Sequence, residues 1–158
     1  MNRLFRTLVA SIVPAVALSA VAGPASADDG APPPPPVQRV VLEIGGLRNA
    51  KGVVRCSLFA SPDGFPTNPE RALMRTIAPS IASGRAVCVF DDVKPGVYAA
   101  SYLHDENNNG KMDTNFLGLP AEGYGASRDA RGSMGPPKWD AAKFAHDGVT
   151  RLQLKTEY

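Results

Sequence analysis

The 158-residue chain has little sulfur and little imidazole: two cysteines, Cys56 and Cys88, two histidines, His104 and His146, and a single tryptophan, Trp139. Ligands so few and so far apart exclude a zinc site on sequence grounds. CxxC is absent, and so are GxSxG and any evident Ser-His-Asp or Cys-His arrangement, so no familiar nucleophile announces itself. Beyond the N-terminal segment, no apolar run approaches the roughly 18 to 20 residues that a membrane-crossing helix needs. No polybasic patch points to nucleic acid or to an anionic membrane surface. Helical periodicity is nearly missing as well.

What is present begins with an export pattern. Arg3 and Arg6 precede an apolar run from Leu8 to Val21, and Ala25-Ser26-Ala27 supplies the small-x-small signature of signal peptidase cleavage. Residues 1–27 therefore read as a cleaved signal peptide and the product as periplasmic or secreted, with an uncleaved N-terminal anchor as the competing reading. No Cys lies near the cleavage point, which argues against a lipid-anchored precursor. Removing 27 of 158 residues leaves 131, the size of one domain. Arg3 and Arg6 leave with the signal, so fifteen basic residues then balance fifteen acidic ones. Residues 28–36, with five consecutive prolines from Pro32 to Pro36, read as a stiff polyproline linker ahead of a domain over 37–158.

The domain carries mostly β signals. Val40, Leu42 and Ile44 alternate with Val41 and Glu43. Val54, Cys56 and Leu58 share a face opposite Val53, Arg55 and Ser57, and Ala86, Cys88 and Phe90 repeat the pattern. Asn68-Pro69-Glu70 reads as a capped helical start over Pro69 to Arg75, and Thr76 to Ala82 as an edge strand holding Pro79, with Ile77 and Ile81 inward. Lys94-Pro95-Gly96 forces a turn into a strand from Val97 to Leu103. Residues 118–137 read as a long ordered loop and Trp139 to His146 as a short amphipathic piece, before a final strand through Thr150, Leu152 and Leu154. Six or seven short strands predict an all-β antiparallel sandwich with one short helix. Two cysteines on apolar strand faces of an exported chain point to a Cys56–Cys88 disulfide. Two reduced core thiols, or a redox pair, are the alternatives.

The densest chemistry lies between His104 and Asp113. Oxygen-bearing side chains recur at Asp105, Asn107, Asn109 and Asp113, with Gly110 where the backbone turns. Against a twelve-position calcium loop, these take positions one, three, five and nine, and the Lys111 carbonyl takes seven. Position twelve is Phe116 rather than a bidentate Glu, so Glu122 is the candidate closing carboxylate and Glu106 a weaker one. With only two formal charges from Asp105 and Asp113, calcium affinity is expected in the weak extracellular range of about 0.1 to 1 mM. The rival reading is a metal-free loop, because Asn and Asp bond readily to backbone two residues on.

Phe90-Asp91-Asp92-Val93-Lys94-Pro95-Gly96-Val97-Tyr98-Ala99 resembles the strand-turn-strand of transthyretin-like and Cna-B-like sandwiches. Together with the acidic loop and Gly118-x-Pro120-x-Glu122-Gly123-Tyr124-Gly125-x-Ser127, it resembles a family of exported bacterial proteins, domain of unknown function 2141, over Val40 to Leu154. The resemblance implies a prealbumin-like sandwich and export, and no activity. A non-enzymatic binding or structural module, with Tyr124 on a surface for glycan, peptide or envelope protein, is the first functional reading. A small periplasmic hydrolase using loop carboxylates is the second, and a carrier domain the third.

Overall fold

The computed structural model describes residues 36–158. The expected signal peptide and all of the linker except Pro36 lie outside the described residues. Alternating side chains build nine strands: β1 (Arg39–Gly45), β2 (Val53–Phe59), β3 (Met74–Ile77), β4 (Ile81–Ala82), β5 (Arg85–Asp91), β6 (Gly96–Asp105), β7 (Gly123–Ala126), β8 (Phe144–His146) and β9 (Val149–Lys155). One sheet runs β4-β5-β1-β9 and the other β3-β2-β6-β7, with β8 paired to the start of β6. Pairing is antiparallel except between β1 and β9, which run parallel from Arg39 opposite Val149 to Gly45 opposite Lys155. The architecture is the all-β sandwich that the alternation predicts.

The apolar positions read from the sequence form one buried cluster. Val40, Leu42 and Ile44 of β1 and Ala86, Cys88 and Phe90 of β5 meet Val54, Cys56 and Leu58 of β2 across the layers. Cys56 and Cys88 sit on different sheets and are bridged, with their Cα atoms 6.4 Å apart, so the covalent link ties one layer to the other. A second cluster at the side gathers Ala99, Ala126 and Ala142 with Phe65 and Trp139. Phe65 meets Phe59 and Trp139 edge-on, with ring centres 5.4 and 5.8 Å away, so Trp139 is a packing residue. Tyr98 points inward and donates its hydroxyl to the Lys94 carbonyl at 2.8 Å, which closes the Lys94-Pro95-Gly96 turn.

Several elements differ from expectation. Thr76 to Ala82 is not one strand. Ile77 ends β3 on the second sheet and is half exposed, whereas β4 begins at Ile81 on the first sheet. Pro79 between them lacks the N–H that a continuous strand would need. The helical stretch after Asn68 shortens to one 3-10 turn, Pro69–Arg71, capped by the Asn68 side chain accepting from the Glu70 N–H at 3.1 Å. Trp139 to His146 divides into a single helical turn, α1 (Trp139–Ala142), and β8.

The largest departure is β7, which lies inside the stretch expected to be an irregular loop. Its sequence, Gly-Tyr-Gly-Ala, has weak strand propensity because glycine offers no side chain to the pleat. The glycine answers a neighbour. A Cβ on Gly125 would stand 2.4 Å from the Tyr102 hydroxyl, so only a bare backbone can pair with β6 beside that ring. Among the described residues, no helix is long and apolar enough to cross a membrane.

The bridge should contribute measurably to stability. Cys56 and Cys88 are 32 residues apart, and the chain-entropy model gives such a crosslink about 3 to 4 kcal/mol. Urea unfolding of Cys56→Ala/Cys88→Ala is expected to show a loss of that order; an unchanged midpoint would mean that the link adds nothing.

Candidate functional site: the asparagine-rich loop after β6

β6 is ten residues long and delivers Asp105 to the end of the second sheet with its side chain fully buried. A buried carboxylate needs compensation, and the neighbouring strand supplies it. Arg55 stands opposite Leu103 on β2, one diagonal step from Asp105, and its Nε donates to Asp105 Oδ2 at 2.6 Å. The loop supplies the rest: the Asn109 N–H donates to Oδ1 at 2.9 Å and the Gly110 N–H to Oδ2 at 2.8 Å. One carboxylate thus gathers a guanidinium and two loop amides.

The asparagines repeat the device at shorter range. Asn107 Oδ1 accepts from the Asn109 N–H at 3.1 Å, and Asn109 Oδ1 from the Lys111 N–H at 2.9 Å. These bonds across two residues are the Asx turns that the residue types favour. Asn108 and Gly110 take the left-handed conformation, with φ of 59° and 83°. That is why asparagine and glycine are suited to the two positions. The Asn107 and Asn109 Nδ2 groups both donate to the Asp113 carboxylate, at 2.6 and 2.9 Å. Asp105, Asn107, Asn109 and Asp113 are therefore brought into one hydrogen-bonded cluster. Lys111 joins it through its N–H while remaining exposed.

Glu122 arrives from the strand-poor segment before β7 and is buried. Its Oε1 accepts from the Glu106 N–H at 2.8 Å and its Oε2 from the Asp113 N–H at 3.1 Å. One side chain staples both ends of the loop. Glu106 turns away from the cluster toward Arg48 and Asn49, at 2.7 and 2.8 Å. Arg48 also reaches the Ala121 carbonyl at 2.9 Å and lies over the Tyr158 ring, 4.5 Å from its centre.

His104 belongs to this support. The Arg48 N–H donates to the Tyr158 hydroxyl at 2.8 Å, that hydroxyl meets His104 Nδ1 at 3.1 Å, and His104 Nε2 meets the Lys51 carbonyl at 2.9 Å. A carbonyl can only accept, so Nε2 carries a proton and donates to Lys51. His146 is likewise held between Thr150 and Val93 at the other end of the fold.

The electrostatics follow from these contacts. Burial pushes the Asp105 carboxyl up, but Arg55 and the Gly110 and Asn109 amides outweigh it, and the group lies below the ordinary range. Glu106 behaves the same way: burial raises it, and the bonds from Asn49 and Arg48 outweigh burial and hold it below the ordinary range. Both side chains are thereby held as anions. Among the described residues, no three His, Cys, Asp or Glu side chains converge as a metal-holding group. Any cation held here would rest chiefly on Asp113 and on asparagine oxygens. Tyr124 is half-buried in β7; its backbone bonds to Glu157 in both directions at 2.9 Å, and it lines a shallow cavity of about 230 Å³ with Asp129, Arg131, Lys155 and Glu157.

Sequence reasoning missed Arg55, Arg48 and Tyr158. Arg55 falls on the polar face of an alternating strand, where the pattern alone implies solvent. Arg48 and Tyr158 lie 58 and 54 residues from their partners Glu106 and His104, beyond any local signal.

An all-β sandwich that braces an Asx-rich loop with buried carboxylates is the class the structure defines. The chain belongs to the family described as "Uncharacterized protein conserved in bacteria (DUF2141)", whose model matches residues 42–153. No curated protein and no solved structure matches it.

A pH experiment tests the brace. Folded values below the ordinary one mean that Asp105 and Glu106 contribute stability that is complete above about pH 4 to 5 and lost as pH falls through their lowered folded values. Arg55→Gln should cost about 2 to 3 kcal/mol at pH 7, less than a fully buried pair because the Arg55 side chain is a third exposed. The deficit should shrink toward pH 4, where the orphaned Asp105 can protonate. Melting curves showing equal deficits at pH 7 and pH 4 would remove the ion pair from the account.

Proposed function

We propose that the protein is an exported, non-enzymatic module of the cell envelope whose asparagine-rich loop is a weak calcium site on a rigid sandwich. The observation that carries this reading is the wrapping of the loop. Asp105, Asn107 and Asn109 all turn side-chain oxygens onto backbone N–H groups at positions 109, 110 and 111, so the chain is curled around the Asp113 carboxylate before any ion arrives. A carboxamide oxygen that accepts one N–H keeps a second lone pair for a hard cation.

The fit is good at Asp113, Asn107 and Asn109 and poorer elsewhere. Calcium in the loop would take the place of the two amide nitrogens now bonded to Asp113, with the Lys111 carbonyl and Asp105 Oδ1 as further oxygens. Glu122 would first have to release a backbone N–H. An ion held this way supplies charge and rigidity rather than reaction chemistry. The non-enzymatic half of the reading draws support from the carboxylates. Asp105 and Glu106 are both kept ionised by cations, which suits neither to donate a proton as a glycosidase acid must.

Calorimetric titration with calcium, beside melting curves in calcium and in chelator, checks the reading. A dissociation constant of about 0.1 to 1 mM is expected, together with loss of binding in Asp113→Ala and in Asn109→Ala. Absence of both heat and melting shift at several millimolar calcium would overturn it.

A further inference from the structure

Immediately beyond the loop, the chain forms a small hairpin whose tip is apolar. Thr114 bridges Pro120, the Ala121 N–H donates to the Asp113 carbonyl at 2.8 Å, and the Asn115 N–H to the Leu119 carbonyl at 2.8 Å. Asn115 then ties the turn together: its carbonyl accepts from the Gly118 N–H at 2.9 Å, and its Oδ1 accepts from the N–H groups of Leu117 and Leu119 at 2.9 and 3.1 Å. This ordered turn carries Phe116, Leu117 and Leu119 at 95%, 67% and 56% exposure. Three large apolar side chains on five residues of convex surface are not part of any core, and clusters of this kind mark interaction sites.

We propose that the 115–119 tip inserts into the interfacial layer of an anionic phospholipid bilayer. Two observations select lipid over a protein partner or a second copy. The turn's N–H groups at 117, 118 and 119 are already satisfied within it, which lowers the penalty that polar backbone carries into an apolar phase. The charge at this end of the fold is also sorted. The acids Asp105, Glu106 and Glu122 are tucked in among their own donors and half-buried Asp113 accepts from two carboxamides, while Lys51 and Lys111 are exposed and form no ion pair among the described residues. Lys111, a few residues ahead of the turn, and Lys51, whose carbonyl meets His104 near the end of β6, thus put unpaired cations at the end of the fold that carries the tip, the arrangement that suits lipid phosphates. The inference goes beyond the calcium reading and does not require it.

The test uses residues 35–158, a compact unit with its own core and disulfide, and vesicles of phosphatidylglycerol and phosphatidylethanolamine in equal parts, with chelator present. Co-sedimentation is expected. Phe116→Ser/Leu117→Ser/Leu119→Ser should weaken it at least about tenfold at an unchanged melting temperature. Lys51→Gln and Lys111→Gln should each weaken it about fivefold, an effect lost in high salt. Failure of the natural sequence to sediment, sedimentation equal in the serine variant, or equal binding to pure phosphatidylcholine would overturn the proposal. So would a dimer that the serine substitutions dissolve without any vesicle binding, which would assign the tip to a second copy. Because chelator is present throughout, failed calcium binding and failed lipid binding are read separately.

Discussion

The Asp105 carboxylate meets Arg55 and two loop amides at the place where β6 stops being a strand, and much of the molecule's far end depends on that meeting. A buried anion at a strand end is tolerated only if its oxygens are filled, and three donors from two elements fill them. The same bonds fix where the loop begins to turn. Arg55 extends the effect with its Nη2, which donates to Asn108 Oδ1 at 2.7 Å and so reaches the residue that must adopt a positive φ. Remove the guanidinium, and the strand end, the turn and the left-handed residue lose a common support.

Around that pair the loop is held by a second, independent clamp. Glu122 bonds to both ends of the loop, and Arg48 joins Glu106, the Ala121 carbonyl and the Tyr158 ring. Tyr158 thereby becomes part of the site's foundation, since its hydroxyl also engages His104 near the strand end. A segment rich in asparagine and glycine would ordinarily sample many conformations. Here its freedom is removed by charged side chains, Arg55 and Asp105 on strands and Arg48 and Glu122 just outside them.

How much of this could be read from the sequence follows from the range of each interaction. The strand alternation of Val40-Leu42-Ile44, Val54-Cys56-Leu58 and Ala86-Cys88-Phe90 is local, and the sandwich and the Cys56–Cys88 bridge followed from it, whereas alternation alone left open whether the bridge joins neighbouring strands or the two sheets. The Asx turns are local too, spanning two to five residues, so the clustering of Asp105, Asn107, Asn109 and Asp113 was legible. The role of Glu122 was only half legible: its approach to the loop was expected, its work as a staple for two N–H groups was not. β7 was hidden because Gly123 and Gly125 answer to Tyr158 and Tyr102, whose rings crowd the strand from other elements. Arg55 was hidden by the same kind of distance, since alternation reports which face a side chain takes and not what it finds there.

The bonds that shape the loop also limit what it can do with a cation. Asp105 shares its charge with a guanidinium, so a divalent ion entering the cluster would meet a positive neighbour as well as an anion. Asp113 is bonded only to neutral carboxamides among the contacts that define the cluster. A cation proposed here would rest chiefly on Asp113 and carboxamide dipoles, with Asp105 Oδ1 already engaged by an amide, which would place its affinity at the weak end for oxygen-ligand sites. A cation at Asp113 would change the charge displayed beside the 115–119 turn, so the two proposals for this end of the sandwich would be coupled through electrostatics.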